Sequence, residues 1–341
     1  MSIDEGKENL DVSQKYFESK ILSIEKLEHK GNNQLFKIFL DNNETFLLKK
    51  YSKIHMGGWE RGKTEFKALS HLWNLGFKEI PQPISFDENE NLAIYSYEKG
   101  KILKPEEITK EDIDKAVDFL VKLHNLDNEN KRMFSPASSA CLCPKEYINV
   151  IDMRISKIIN YEPEDNVGKK ARKFLDKKVI PKIEELKKDF FSKTKDMDIE
   201  KEIPIGEQVL TPADFGFHNI LVNLNSGKKE YKFLDFEYFG RDDPVRQILD
   251  FIHHAKSVNL SLKFKKYFID SYIEKRNLSE NFIERLKLLD SIIGMTWVLI
   301  RLNVLSKEQL EHIKFAQSST RGIIEERLAG AENKLNELSL F

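Results

Sequence analysis

Two short stretches of this sequence decide its fold: TPADFGFHN, residues 211–219, and YKFLDFEYF, residues 231–239. In the first, Asp214 is followed five positions later by Asn219, and in the second Asp235 precedes a phenylalanine. The β-rich runs NILVNL and YKFLDFEYF flank the turn-like residues NSGKKE, which predicts a tight hairpin. Because such a hairpin returns the chain to where it began, the two acids and the amide are expected to converge.

The tripeptide Asp-Phe-Gly at Asp214 marks the metal-binding carboxylate in a protein kinase, so this role has to be tested first. A kinase of that type would have a catalytic Asp upstream, followed five positions later by Asn. The upstream candidates Asp196 and Asp198 are followed at that spacing by Lys201 and Ile203. The opposite assignment fits, with Asp214 as the catalytic-loop residue and a later acid in the metal role.

The three polar groups suit phosphoryl transfer. One carboxylate, that of Asp214, can align an attacking hydroxyl and accept its proton. The Asn219 amide oxygen and the Asp235 carboxylate can hold Mg²⁺, which prefers oxygen ligands. The alternative is that Asp214 and Asn219 cap a turn and Asp235 ends a strand.

These stretches resemble the aminoglycoside phosphotransferase and choline kinase family, small-molecule kinases that share the bilobal protein-kinase-like fold. In that family a His-Gly-Asp-x-His-x-x-Asn loop precedes an Ile/Leu-Asp-Phe/Trp motif. Pro212 and Gly216 stand where the family has its two histidines, and His218 lies two positions further on. This departure keeps a second hypothesis open, a nucleotide-binding pseudokinase that acts as a regulatory or scaffolding module.

The segment FLLKKY supplies the cation that such a kinase needs on the ATP phosphates. Lys49 and Lys50 point to opposite faces of a strand, so only one of them can face a nucleotide. The family pattern apolar-apolar-Lys/Arg-x-Tyr favours Lys49 and leaves Lys50 in reserve. Glu65 borders the buried face of a helix predicted over residues 60–75, so we expect a Lys49–Glu65 ion pair.

Two further nucleotide contacts follow from the resemblance and from local sequence. Gly31, in GNNQLFKI, lies where a phosphate-covering loop would be, although the same residues are equally typical of a hairpin turn. AIYSYEKGK resembles the strand-to-linker crossing whose main chain receives adenine. Tyr97 and Glu98 are the expected contact positions there.

The pattern of apolar residues predicts an α+β protein with two parts. Residues 1–98 are expected to form a nucleotide-binding lobe with an antiparallel sheet and one helix, after about a dozen loose initial residues. Residues 99–341 are expected to form a larger, mainly helical lobe that carries the catalytic loop and the acceptor-binding helices.

Composition limits the partners of the protein. The 55 basic and 56 acidic residues nearly cancel, so no overall charge favours nucleic acid or an anionic membrane. The two cysteines, Cys141 and Cys143, are expected to be free thiols, and no export signal is seen at the amino terminus. We therefore expect a cytoplasmic enzyme that uses ATP and Mg²⁺ and a small-molecule acceptor with a hydroxyl group.

Overall fold

The structure is a computed structural model that describes residues 14–28, 33–52, 59–257, 260–316 and 321–341. By its internal contacts the chain divides into two compact units. The first comprises the residues up to Ile108 together with Pro212–Gly240, and the second comprises Thr109–Thr211 with Arg241–Phe341. Most of the initial segment that was expected to be loose lies outside the described residues.

The strands belong mainly to the first unit. In chain order they are β1 (Ile21–Leu27), β2 (Gln34–Leu40), β3 (Thr45–Lys50), β4 (Pro83–Asp87), β5 (Leu92–Ser96), β6 (Lys101–Ile102), β7 (Val209–Thr211), β8 (Ile220–Asn225), β9 (Lys228–Phe233) and β10 (Gly240–Asp242). Within the described residues, five of them form an antiparallel sheet in the order β1-β2-β3-β5-β4. Alternate residues of β2, namely Phe36, Ile38 and Leu40, are buried in its core because side chains alternate across a strand.

The helices lie mainly in the second unit. In chain order they are α1 (Arg61–Asn74), α2 (Lys110–His124), α3 (Asn128–Arg132), α4 (Pro144–Ser156), α5 (Asn166–Phe174), α6 (Ile180–Lys193), α7 (Pro244–His253), α8 (Leu262–Arg276), α9 (Glu280–Leu302), α10 (Lys307–Ala316) and α11 (Arg321–Asn336). Helix α1 is the exception, since it packs on β4 and β5 in the first unit. It buries Leu69, Leu72 and Glu65, and the chain leaves it through Gly76 at φ 88.

Helix α9 is long and apolar. By length and composition alone, Glu280–Leu305 could cross a membrane, and within the described residues it is the one segment of that kind. Of its most apolar window, 61% is buried inside the structure. A core helix of a globular protein gives the same result, and this helix buries eleven of its residues, from Phe282 to Leu302.

The predicted α+β class is confirmed, since an antiparallel sheet occupies the N-terminal part and helices dominate the rest. The predicted division after residue 98 does not coincide with the observed units, because Pro212–Gly240 groups with the N-terminal residues. The hairpin is joined to the N-terminal residues by hydrogen bonds: β8 pairs with β6, and the Phe233 N–H donates to the Glu79 carbonyl over 2.7 Å.

Candidate functional site

The β8–β9 hairpin brings the backbone around Asp235 to the start of β8, as the sequence predicted. Its two-residue turn is formed by Ser226 at φ 51 and Gly227 at φ 80, and positive φ at both positions is typical of a type I′ turn. At the open end, the Leu234 N–H donates to the Asn219 carbonyl over 2.9 Å. Asp235 therefore directly follows a residue that is hydrogen-bonded to Asn219.

Asp214 and Asn219 are linked within one tight loop. The Asn219 Nδ2 donates to the Asp214 main-chain oxygen over 2.8 Å, and the Asn219 N–H donates to the Gly216 carbonyl over 2.9 Å. Because the amide nitrogen makes this bond, the Asn219 side-chain oxygen is the atom that can be offered to a ligand. The Asp214 side chain is 34% exposed, which leaves it accessible to a substrate.

Two non-glycine residues in this region have a left-handed backbone. Ala213 precedes Asp214 and has φ 65, while Asp235 has φ 66. This conformation costs an L-residue about 1–2 kcal/mol, and aspartate tolerates it better than alanine does. Strain of this kind is concentrated at functional positions in proteins. The fold thus constrains the backbone at or next to both acids.

Lys49 forms the ion pair with Glu65 that the sequence predicted. The Lys49 Nζ lies 2.7 Å from Glu65 Oε2, and only 10% and 5% of the two side chains are exposed. The Tyr51 hydroxyl donates to the same carboxylate oxygen over 2.7 Å. Burial alone would lower the pKa of Lys49, but the charges of the surrounding carboxylates raise it well above its usual value. Lys49 is therefore a buried cation at neutral pH.

The strand register decides between the two lysines of FLLKKY. Lys49 stands opposite Leu35 and Ala93 in the sheet and is 8% exposed, whereas Lys50 is half-buried on the other face. Lys49 is thus the one whose ammonium group reaches the helix carboxylate. Gly31, the expected phosphate-loop residue, lies outside the described residues.

Three carboxylates surround the Lys49 ammonium group. The ligand oxygens of Glu65, Asp235 and Glu237, called the acidic cluster below, lie within 4.8 Å of one another. The Lys49 Nζ is 3.1 Å from Asp235 Oδ1 and 3.9 Å from Glu237 Oε2. Arg61 approaches Glu237 to 3.9 Å. Among the described residues, these two cations balance two of the three carboxylates, which leaves a formal charge of minus one.

This surplus of negative charge makes the acidic cluster suitable for a divalent cation. Hard oxygen donors are the ligands that Mg²⁺ prefers, and the Asn219 amide oxygen would be of the same type. The Asp235 side chain is 31% exposed, so an ion could reach it from solvent. The residues present therefore fit a magnesium site.

Glu237 is a site residue that the sequence analysis missed. Its carboxylate accepts a hydrogen bond from Asn33 Nδ2 over 2.7 Å, and its carbonyl accepts one from Trp59 Nε1 over 2.7 Å. Burial, and then the charge of Asp235, raise the pKa of Glu237. The sequence shows a second acid two positions after Asp235, but the alternation of side chains along a strand does not apply to this pair, because β9 ends at Phe233 and Asp235 has φ 66.

The segment after β5 holds Tyr97 and Glu98. The Lys37 Nζ lies 4.4 Å from the centre of the Tyr97 ring. The Glu98 carboxylate accepts from Ser96 Oγ over 2.6 Å and pairs with Lys232 at 3.2 Å. Because both side chains already have partners, contact with an adenine here would have to use main-chain groups.

Comparison with solved structures supports the kinase-like fold. Spectinomycin phosphotransferase APH(9)-Ia in complex with ADP and spectinomycin is 11% identical, with a TM-score of 0.62 and coverage of 96% of this chain and 98% of that one. A choline/ethanolamine kinase family protein from Mesorhizobium loti is 15% identical, with a TM-score of 0.62 and coverage of 98% and 95%. The streptomycin-ATP-APH(2")-IIa ternary complex is 15% identical, with a TM-score of 0.56 and coverage of 94% and 98%.

At these identities the likeness concerns the fold, and it confirms the kinase-like fold predicted from the sequence. No curated protein sequence matches the chain. The model of the phosphotransferase enzyme family, APH, matches residues 23–257, which is more than half of the chain. The protein, with its acidic cluster and its Asp214 loop, belongs to this phosphotransferase family.

Proposed function

We propose that this protein transfers the γ-phosphoryl group of ATP, with Mg²⁺, to a hydroxyl of a small polar molecule such as a sugar, an amino sugar or an amino alcohol. The observation that carries the proposal is the acidic cluster around Lys49, in which the carboxylates outnumber the cations by one among the described residues. A buried group of carboxylates in excess over cations is costly unless a further cation binds there. Mg-ATP supplies such a cation together with the phosphates that Lys49 would contact.

Each residue of the donor side has a distinct task in this proposal. Lys49, held by Glu65, steadies the ATP phosphates, while Asp235 and the Asn219 amide oxygen are the ligands for Mg²⁺. Glu237 is a further oxygen donor at the same place. Bound Mg²⁺ would offset the negative charge on the phosphate oxygens. Tyr97 and Glu98 offer main-chain groups to the adenine, as the family resemblance implies.

Asp214 acts on the acceptor side. Its partly exposed carboxylate can accept a hydrogen bond from the acceptor hydroxyl, orient the oxygen towards the γ-phosphate and take its proton as the new bond forms. Catalysis in this reaction class depends mainly on positioning and electrostatics. The loop that ties Asp214 to Asn219 therefore matters as much as the acid itself.

Relatives of the same fold support a nucleotide donor and a small-molecule acceptor, since they have been solved with ADP and spectinomycin or with ATP and streptomycin. Both cysteines are free thiols and buried. This agrees with a reducing compartment, and we also propose that the protein acts in the cytoplasm, where ATP is available.

The test is ADP release from Mg-ATP in the presence of a panel of acceptors: aminoglycosides, spectinomycin, choline, ethanolamine, hexoses and hexosamines. At least one of them should accelerate ADP release by the wild-type protein. With that acceptor, Asp214→Asn should lower turnover by about 10²–10⁴-fold, the range for loss of a general base. Its calorimetric affinity for Mg-ATP should stay within about twofold.

Asp196→Asn is the matched control, because this carboxylate is 88% exposed and it should retain wild-type turnover. Full turnover by Asp214→Asn would show that the assignment of Asp214 is wrong. Tight Mg-ATP binding with no acceleration of ADP release by any acceptor would favour the alternative, a nucleotide-binding pseudokinase.

A further inference from the structure

The imidazole of His218 lies against the carboxylate of Asp214. The His218 Nε2 is 3.0 Å from Asp214 Oδ1, and the His218 side chain is only 8% exposed. An ionised carboxylate can only accept a hydrogen bond, so the proton of this pair lies on Nε2 and the imidazole donates. A hydrogen bond to a charged acceptor is stronger than one between neutral groups. It fixes the side-chain rotamer of Asp214 and with it the direction of the other carboxylate oxygen.

The glycine at position 216 makes room for this imidazole. A Cβ atom built on Gly216 would lie 2.8 Å from both Cε1 and Nδ1 of His218, closer than real Cβ contacts are found. The obstacle is a short, buried ring and not the end of a flexible chain, so the ring would have to move. Gly216 itself has φ 178, which any residue adopts. Position 216 therefore requires a residue without a side chain because the His218 ring needs the space, and not because of the backbone conformation.

We propose that His218 is a positioning residue for Asp214, and that Gly216 is a glycine because the His218 ring occupies the space of its side chain. This inference rests on the proposed function, in which Asp214 orients the acceptor hydroxyl. The residue pair then explains why the loop can lack histidines at positions 212 and 216. An imidazole still supports the catalytic carboxylate, but it comes from position 218.

The kinetic consequence is specific to turnover. Without the imidazole, the Asp214 carboxylate loses a hydrogen bond that holds its rotamer, and we expect it to be aligned with the acceptor for a smaller fraction of the time. We expect the donor side to be nearly unaffected, because the ring contacts the Asp214 carboxylate, whereas Lys49 pairs with Glu65, Asp235 and Glu237. The loss should appear in kcat with the acceptor, whereas KM for ATP should stay nearly constant.

The test is a double-mutant cycle that combines His218→Ala with Gly216→Ala, measured with an active acceptor from the panel above. His218→Ala should lower kcat by about 10–100-fold and leave KM for ATP within about twofold. Gly216→Ala should give a loss of similar size because it displaces the ring. The double variant should be no slower than the slower single variant, since both changes remove one interaction.

His218→Gln provides a conservative rescue. Glutamine carries an amide N–H donor at nearly the same reach as Nε2, so its kcat should recover to within about fivefold of the wild-type value. Gly206→Ala is the matched control, because a Cβ there would meet Asn128 at an ordinary 3.9 Å and turnover should be unchanged. Thermal melting of each variant shows whether it is folded. If His218→Ala does not fold, His218→Gln and Gly216→Ala still test whether His218 positions Asp214.

Three results would overturn the proposal: wild-type kcat in His218→Ala, losses that multiply in the double variant, or no rescue by glutamine at equal thermal stability. Failure of the proposed function is distinguishable, because then no acceptor would accelerate ADP release by the wild-type protein, or Asp214→Asn would retain full turnover. An inactive Asp214→Asn together with a fully active His218→Ala would reject only the role of His218.

Discussion

Two buried polar clusters, one in each unit, differ in their charge balance. In the first unit the three carboxylates of the acidic cluster face two cations in the part of the chain that the structure describes, and Asp235 is 31% exposed. In the second unit Asp290 is fully buried, and its carboxylate accepts from His253 Nε2 over 2.7 Å and from Ser339 Oγ over 2.8 Å. Lys334 completes this second group, with its Nζ 2.5 Å from His253 Nδ1.

The second group, called the Asp290 cluster below, is satisfied by the chain itself. The Asp290 carboxylate also accepts from the main-chain N–H groups of Leu340 and Phe341, so it ties the last residues of the chain to helix α9. In the acidic cluster, by contrast, the carboxylates outnumber the cations among the described residues. A surplus of charge favours a ligand site, whereas a closed hydrogen-bond network favours a structural role.

The largest expected effect is on activity and concerns the acidic cluster. Asp235→Asn removes a proposed metal ligand, and we expect turnover to fall by about 1,000-fold, which corresponds to about 4 kcal/mol of transition-state stabilisation. Because the change also removes uncompensated charge, the denaturation midpoint should not fall. ADP-release assays and urea denaturation check the two halves of this prediction. A loss of stability with unchanged turnover would contradict this prediction, because it would indicate a structural role for the acidic cluster.

The opposite pattern is expected for the Asp290 cluster. Asp290→Asn weakens its bonds to His253 and to the C-terminal residues, so the free energy of unfolding should fall by about 3 kcal/mol. At temperatures where the variant is folded, turnover should stay within about threefold of the wild-type value. Urea denaturation measures the first effect, and an unchanged midpoint would show that this closed network does not stabilise the unit.

The two adjacent lysines of β3 give a matched comparison within the first unit. Lys49→Met should lower turnover by about 100-fold, because it removes the buried cation that we propose to contact the phosphates. Lys50→Met should change turnover by less than twofold, since that side chain lies on the other face of the strand. Steady-state kinetics at saturating acceptor measures both. Equal losses in the two variants would contradict the assigned orientation of Lys49.

The smallest expected effect is a pH dependence of stability in the Asp290 cluster. Burial, and then the charge of Lys265, lower the pKa of Lys334 to about 8 from 10.5. Below pH 8 both the folded and the unfolded chain carry this proton, so the full cost of the buried charge is present. Between pH 8 and 10.5 the folded state loses the proton first, and that cost disappears.

The free energy of unfolding should therefore rise across this window through Lys334, by about 3 kcal/mol. Lys334→Met removes the titrating group, so its stability relative to the wild type should decrease by that amount as the pH rises. Denaturation midpoints at pH 7.5, 9 and 10.5 for both proteins measure the difference. A difference that does not change with pH would contradict a lowered pKa for Lys334.

Local rules predicted much of the candidate site. The turn at Gly227 and the alternation of the flanking strands predict the hairpin, and the helical position of Glu65 predicts its pairing with a cation. The choice of Lys49 over Lys50 needed the family pattern as well. These inferences use residues that are close in sequence or confined to one element, where periodicity is informative.

The remaining features depend on contacts that no local pattern contains. The sequence does not show that Asn33, which is 204 positions away, donates a hydrogen bond to the Glu237 carboxylate. The link between Gly216 and His218 depends on the path of one loop and on the rotamer of a ring. Asp290 gives no sign in the sequence that its partners are the last residues of the chain.

The most direct test of the acidic cluster is thermal unfolding with ATP, with and without Mg²⁺, in the wild type and in Asp235→Asn. At about 100 times the dissociation constant, Mg-ATP should stabilise the wild type by about 2.7 kcal/mol, and much less in EDTA. Asp235→Asn should lose the part of the stabilisation that depends on Mg²⁺. Asp290→Asn should retain it, although this variant is less stable without ligand. A full Mg²⁺-dependent stabilisation of Asp235→Asn would contradict a metal site at this cluster.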